Sequence, residues 1–317
     1  MKILLVKTSS MGDVVHNLPV VTDILAARSG SEIDWVVEDT FAAIPKLQPG
    51  VRRVLEVAIR RWRGSWWEAQ RRREIGSFLE VLKSESYDAV IDTQGLLKSA
   101  IVARCARGPR FGLDWKSSRE PLALFYNRTF SVPWKMHAVE RNRALAARSL
   151  GYAIPERLDY GISASPASVV WLPGEPYAVL IHGTSARSKL WPDNHWIALA
   201  QRLQKGGVRT VLPWGNTEER ERAEHIALPV PGAVVPPPLS LTDAASVLAG
   251  ARACVGLDTG LTHLAGALQV PTVGIYCGTD PATTGLYGCA RAVNLGGIGT
   301  PPAMEEVVAA LDRLLRS

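Results

Sequence analysis

The chain is short of the features that place a protein quickly. Its 317 residues contain no apolar run approaching the ~18 needed to cross a bilayer, so no transmembrane helix is expected. Lys2 is followed only by the short apolar run Ile3–Val6, too little for the core of a secretory signal, and the chain is expected to stay in the cytoplasm. The four cysteines, at 105, 254, 277 and 289, show no CxxC spacing, which leaves neither a disulfide framework nor a zinc site to expect. GxxxxGKS/T, HExxH and a clean GxGxxG are also absent, so P-loop hydrolases and zinc peptidases are disfavoured. Charged residues are sparse at 21%, against 47% hydrophobic, a balance that builds a buried core and argues against disorder.

What is present is alternation. Lys2–Lys7, Ile33–Glu38, Arg53–Ala58 and Tyr87–Asp92 read as buried strands, each followed by helical spacing, including one helix over Asp13–Arg28. Gly161–Pro176 (GISASPASVVWLPGEP) reads as a linker, after which the alternation restarts at Ala178–His182. This predicts an α/β protein of two Rossmann-like, doubly wound domains, 1–165 and 166–317, facing a central cleft. Charge divides the same way. Residues 1–165 carry 25 Lys/Arg against 18 Asp/Glu, and residues 166–317 carry 11 against 12. The first half is therefore expected to face an anionic partner.

Four stretches could carry chemistry. Ala253–Tyr276 predicts strand, turn, helix and strand, with Asp258, Thr259, Gly260, Leu261, Thr262 and His263 at the turn; a helix start of this kind can hold a phosphate. An ordinary capped turn explains one polar residue there, but not the whole cluster. His182–Trp191 (HGTSARSKLW) places Thr184 and Ser185 after a buried strand, with Lys189 able to meet a departing diphosphate. Glu218 or Glu219, after the next strand, is placed to bind ribose hydroxyls or to serve as a helix-start charge. In Thr8–Asn17 (TSSMGDVVHN), Asp13 is either a first-turn carboxylate or a general base, and spacing leaves both open. Finally, Arg52–Arg73 holds eight arginines against two acids with three tryptophans interleaved. Such a segment suits phosphate, carboxylate or a membrane interface, with a solvated helix face as the plainer reading. No RNA-binding motif accompanies it, so nucleic acid is not the expected partner.

Taken together, KILLVKTSSMGDVVHNLPV, AIRRWR, YDAVIDTQGLLKSA, DWKSSREPLA and VGLDTGLTHLAGAL resemble the ADP-heptose:lipopolysaccharide heptosyltransferases over nearly the whole chain, most closely the heptosyltransferase I branch. The resemblance implies a GT-B glycosyltransferase with the nucleotide-sugar on the C-terminal domain and the acceptor on the N-terminal one. It also implies that the last helix, about 303–315, crosses back to the N-terminal domain. The reaction would move L-glycero-D-manno-heptose from ADP-heptose to Kdo of Kdo2-lipid A, inverting the anomeric centre, with no metal or other cofactor. By position, Asp13 resembles the base and Lys189 the leaving-group cation. Thr184, Ser185, Lys189, Glu219, Leu239 (near adenine), Asp258, Thr259, Gly260, Leu261, Thr262 and His263 resemble the donor site. Arg60, Arg61, Arg63, Lys98, Arg119, His137 and Arg141 resemble the acceptor-side basic set. Gly64 stands where a lysine can follow the arginine cluster, and Ser185 stands in place of a threonine. A lipid acceptor implies peripheral contact with the anionic cytoplasmic face of a Gram-negative inner membrane, here through Arg60–Arg63 with Trp62, Trp66 and Trp67. The competing readings are heptosyltransferase II-type transfer, a GT-B nucleotide-sugar epimerase, and a non-catalytic lipopolysaccharide- or nucleotide-binding protein.

Overall fold

Apolar runs too short to cross a membrane are long enough to be strands buried on both faces, and they form two parallel sheets. The computed structural model describes the chain except at Ser65–Trp67, Pro173, Glu175, Ser185, Ser317 and the side chain of Arg187. It divides into two units, Met1–Ile162 and Ser163–Ser317. Among the described residues no helix is long and apolar enough to cross a membrane.

The first unit runs β1 (Lys2–Val6), α1 (Met11–Val15), α2 (Leu18–Ala27), β2 (Glu32–Glu38), α3 (Ala43–Lys46), β3 (Val51–Val57), α4 (Ile59–Trp62), α5 (Ala69–Lys83), β4 (Ala89–Asp92), α6 (Leu97–Cys105), β5 (Arg110–Leu113), β6 (Arg128–Phe130) and α7 (Ala138–Leu150). Its sheet order is β3-β2-β1-β4-β5-β6, and every pairing is parallel. Chain order reverses between β1 and β4, which opens a crevice at their carboxyl ends. Ile3–Val6 on the central β1 are wholly buried. The single helix expected over Asp13–Arg28 is instead two. The apolar spacing continues through the break, but a new helix starts after Asn17 with Pro19 in its first turn, where a missing N–H costs nothing. α7 is clamped to α2 by a buried pair: Arg143 Nε donates to Asp23 Oδ2 at 2.7 Å and Nη2 to Oδ1 at 3.2 Å. Gly151 ends α7 in the left-handed region, φ +68°, a backbone that glycine adopts without steric cost.

The second unit runs β7 (Tyr177–Ile181), α8 (Asp193–Lys205), β8 (Arg209–Val211), α9 (Thr217–Ala227), α10 (Leu241–Ala249), β9 (Ala253–Leu257), α11 (Gly260–Ala267), β10 (Thr272–Tyr276), α12 (Pro281–Thr284), β11 (Ala292–Gly296) and α13 (Met304–Arg316). The parallel order β11-β10-β9-β7-β8 reverses between β7 and β9. α13 packs on α8, β9, β10 and β11 of its own unit, and Val307, Ala310, Leu311 and Leu314 lie in that unit's core. Each large apolar side chain so buried stabilises by about 1.5–3 kcal/mol, which holds the helix where it is.

Candidate active site

In the second unit, the crevice between β7 and β9 gathers the loops that follow them. β9 delivers Asp258 to the sheet edge and Thr259 stands at the N-cap position of α11 without a side-chain capping bond among the described residues, so the leading N–H groups of Gly260, Leu261 and Thr262 open toward that edge. The turn is tight. Thr262 Oγ1 donates back to Leu257 O at 2.6 Å, and a Cβ at Gly256 would clash with Thr262 Oγ1. Asp258 takes three side-chain partners: Lys189 Nζ at 2.9 Å, Thr279 Oγ1 at 2.7 Å and His263 Nε2 at 3.2 Å. Burial alone would raise its carboxyl pKa, but the hydrogen bonds from His263, Lys189 and Thr279 overcome that and hold it well below the usual carboxylate range. The result is a fixed anion carrying a lysine at a helix start.

Lys189 ends the 3-10 turn Arg187–Lys189, and its stem runs past Gly278 in the loop after β10. Arg222 of α9 clasps both ends of this loop, donating to His182 O and to Trp191 O, with Asp193 Oδ1 as its counter-ion at 2.7 Å. Glu219 sits in the first turn of α9, where its Oε2 accepts from Gly215 N at 2.7 Å and its carboxylate rests against Gly183. It therefore meets the β7 loop, whereas Glu218 is exposed. Leu239 and Leu261 line a small apolar cavity with Ile181, Pro213 and Val247. Thr184 is half-buried in the same loop, and Ser185 lies outside the described residues. At the end of β7, His182 is fully buried with neither ring nitrogen hydrogen-bonded among the described residues; burial, aided by Arg222, lowers its pKa to about 4.

In the first unit the corresponding crevice lies between β1 and β4. Gln94, after β4, bridges to the β1 loop by accepting from Thr8 N at 3.1 Å and Ser9 N at 3.0 Å. Lys98 of α6 donates to Ser9 Oγ. Asp13 Oδ2 accepts from Ser10 N and Ser10 Oγ, both at 2.9 Å, while Oδ1 takes no hydrogen bond among the described residues. The capping role and an available oxygen thus coexist on one half-buried carboxylate. Beneath it, Lys7 is buried with Nζ on Thr93 O at 2.9 Å; burial lowers its pKa, while Asp13 and Asp92 favour its charge.

The basic residues of this unit do not form one set. Arg141 lies over the Trp134 ring at 4.1 Å, with Arg119 at 6.0 Å on the same ring. Burial and the charge of Arg119 both disfavour the Arg141 cation. Arg60 lies over Phe41, and Arg63 is exposed. Arg61 is already paired, with Asp39 at 2.9 Å and Glu74 at 3.3 Å. His137, of the expected acceptor-side set, is buried, accepts Val139 N at Nδ1 at the start of α7, and packs edge-on against His16. Trp62 is drawn inward, its Nε1 on Glu74 and its ring on Phe78, while Trp66 and Trp67 lie outside the described residues. Sequence reasoning missed Thr279, Arg222, Gln94 and Lys7. Each acts through a residue distant in sequence; only the polar turn CGTD after β10 offered a local signal for Thr279.

Among the described residues no three His, Cys, Asp or Glu side chains gather as a metal-ligand set. The model of glycosyltransferase family 9 (heptosyltransferase) matches residues 75–308. Lipopolysaccharide heptosyltransferase 1 of Pseudomonas aeruginosa is 50% identical over 299 residues, spanning 93% of this chain and 84% of that one. The structure of E. coli heptosyltransferase WaaC with ADP is 43% identical and superposes with a TM-score of 0.92 over 99% of this chain and 100% of that one. WaaC with ADP-2-deoxy-2-fluoro heptose gives 0.87 at the same identity, over 100% and 99% of the two chains. The two parallel α/β units are therefore a fold of GT-B type, and the chain is a glycosyltransferase belonging to glycosyltransferase family 9, the heptosyltransferases.

Proposed function

We propose that the protein transfers L-glycero-D-manno-heptose from ADP-heptose to Kdo of Kdo2-lipid A, with inversion and without a metal, at the cytoplasmic face of the inner membrane. The observation that carries the donor half is the Asp258–Lys189 pair at the start of α11. A diphosphate placed there meets oriented N–H groups and a lysine already fixed in place. Leu239 lies beside the adenine, and Glu219, set against the loop after β7, faces the ribose. The relative whose structure holds ADP supports this placement of the nucleotide.

Glycosyl transfer passes through an oxocarbenium-like state, so the acceptor hydroxyl loses its proton late and a carboxylate suffices as base. Asp13 takes that proton, with Ser10 holding one oxygen and leaving the other to the acceptor. As the C–O bond to ADP breaks, negative charge grows on the diphosphate and is met by Lys189 and the α11 N–H groups. Arg60, Arg63, Lys98, Arg119 and Arg141 meet the acidic acceptor; His137 serves them by positioning α7.

The test is ADP release by the purified protein with ADP-heptose and heptose-free Kdo2-lipid A. Turnover with this acceptor, and none with one already bearing the first heptose, is expected. Turnover only with the latter would move the protein to the heptosyltransferase II reaction. Consumption of ADP-heptose without any acceptor would favour an epimerase or hydrolase, and loss of activity to chelator with recovery on magnesium would end the metal-free part.

A further inference from the structure

The arginine–tryptophan stretch at Arg52–Arg73 is the obvious candidate for contact with a lipid surface, yet among the described residues four of its eight arginines are paired with carboxylates of the same unit. Arg52 and Arg53 pair with Asp34 and Glu85, Arg61 with Asp39 and Glu74, and Arg71 with Glu74. Trp62 is turned inward.

Residues 97–135 behave differently. They hold eight of the 36 Lys/Arg and two of the 30 Asp/Glu, a charge of +6 that equals that of the whole chain. Both acids are occupied by backbone: Asp114 accepts Ser117 N, and Glu120 accepts Leu97 N. Among the described residues, none of the eight cations forms an ion pair. Five of the large apolar side chains that stand exposed are here too: Leu97 (48%), Ile101 (49%), Trp115 (54%), Leu124 (85%) and Trp134 (41%).

These pieces are joined. On α6, Leu97, Ile101 and Arg104 share one face at helical spacing. The 3-10 turn Ala123–Phe125, which presents Leu124, packs on α6 through the buried cluster of Ala100, Leu122 and Tyr126. Glu120 ties the following loop to the start of α6, and Trp134 Nε1 donates to Lys116 O beside Trp115.

We propose that the exposed face of α6 and the adjoining 114–135 segment form the surface on which the protein lies against an anionic lipid bilayer. Unpaired cations meet the phosphate headgroups, and Leu97, Ile101, Leu124 and Trp115 enter the interfacial layer. The inference rests on the reading that the acceptor is membrane-held, and it explains how the unit carrying Asp13 and Lys98 reaches such an acceptor. A water-exposed leucine and isoleucine beside unpaired arginine is otherwise an unsatisfied surface.

Cosedimentation with vesicles of phosphatidylcholine containing phosphatidylglycerol tests it without donor or acceptor, so its failure is separate from that of the transfer assay. Each basic residue near an anionic surface contributes about fivefold to partitioning. The double variant Arg104→Glu/Lys116→Glu is therefore expected to partition at least ~25-fold more weakly, and Ile101→Glu/Leu124→Glu to lose binding even at low salt. Arg61→Glu should keep most of it. Activity on a deacylated, soluble Kdo acceptor should stay within about twofold for both double variants, because the substituted groups do not touch the reacting sugars. Unchanged partitioning of both double variants would overturn the proposal. So would loss that follows Arg61→Glu instead, or an equal loss of activity on the soluble acceptor.

Discussion

Lys189 Nζ lies 2.9 Å from Asp258 Oδ2, and this pair joins the loop after β7 to the start of α11 across the point where strand order reverses. A lysine held this way is oriented before a diphosphate arrives, so its contribution should appear in turnover more than in binding. Lys189→Met is expected to lower kcat by about 10²–10³-fold while the KM for ADP-heptose moves less than ~tenfold. Steady-state ADP release at saturating acceptor measures both. A change confined to KM would make Lys189 a general anion binder.

Asp13 and Ser10 separate catalysis from capping. Asp13→Ala removes both functions and should cost about 10²–10⁴-fold in kcat. Ser10→Ala removes only the hydroxyl on Oδ2 and should cost less than ~tenfold, with about 1 kcal/mol of stability. Equal losses in the two variants would return Asp13 to a capping role.

Arg222 positions the donor loop without standing among the groups assigned to substrate. Arg222→Ala frees both His182 O and Trp191 O from their clasp. The expected result is a raised KM for ADP-heptose and faster amide exchange across residues 183–190, with the KM for acceptor unchanged. Arg222→Lys should recover little, since one ammonium cannot span the two carbonyls and Asp193 as a fork does.

Much of this was legible in the chain, and the limits are instructive. KILLV, ACVGL and TVGIY read as strands because burial on both faces leaves their interiors apolar. Asp258–His263 read as a site because its polar residues are contiguous. Thr279, Arg222 and Gln94 did not, because each reaches its partner from a different strand or helix, and spacing along the chain carries no trace of that. The partners of Trp62 and Arg61 were hidden for the same reason: Glu74 and Phe78 on α5 decide which way they face. The break at His16–Asn17 was hidden because the apolar positions keep helical spacing through it.

The buried His182 sets an acid limit on stability. Its pKa is about 4 in the folded protein, against 6.5 as the ordinary value. Between these values the unfolded chain binds a proton that the folded one refuses, so stability is full above pH ~6.5 and declines by about 1.4 kcal/mol per unit as pH falls toward ~4. Asp258, whose folded pKa is depressed, acts lower: its contribution is present above pH ~4 and is lost below it. In His182→Asn the slope between pH 6.5 and 4 should flatten while that below 4 remains. Thermal midpoints across pH 3–8 measure both; an unchanged upper slope would remove His182 as the cause.

The Asp23–Arg143 clamp is nearly solvent-free, its side chains 2% and 4% exposed. Arg143→Ala strands a buried carboxylate and should cost about 3–5 kcal/mol. Denaturant unfolding should show that loss, and Asp23→Asn/Arg143→Leu should restore part of it by removing the stranded charge. A single variant losing less than ~1 kcal/mol would show that water relieves the site.

With +6 lodged in residues 97–135, the remaining residues balance at 28 cations and 28 anions. The net charge therefore comes from this one segment of the first unit. At ~0.01 M salt, where charges are felt over about 30 Å, a negatively charged target would be drawn to that segment before touching it. At ~0.15 M the reach shrinks to about 8 Å, and orientation would be found only by collision. Encounter rate should thus depend on ionic strength far more steeply than the catalytic step that follows.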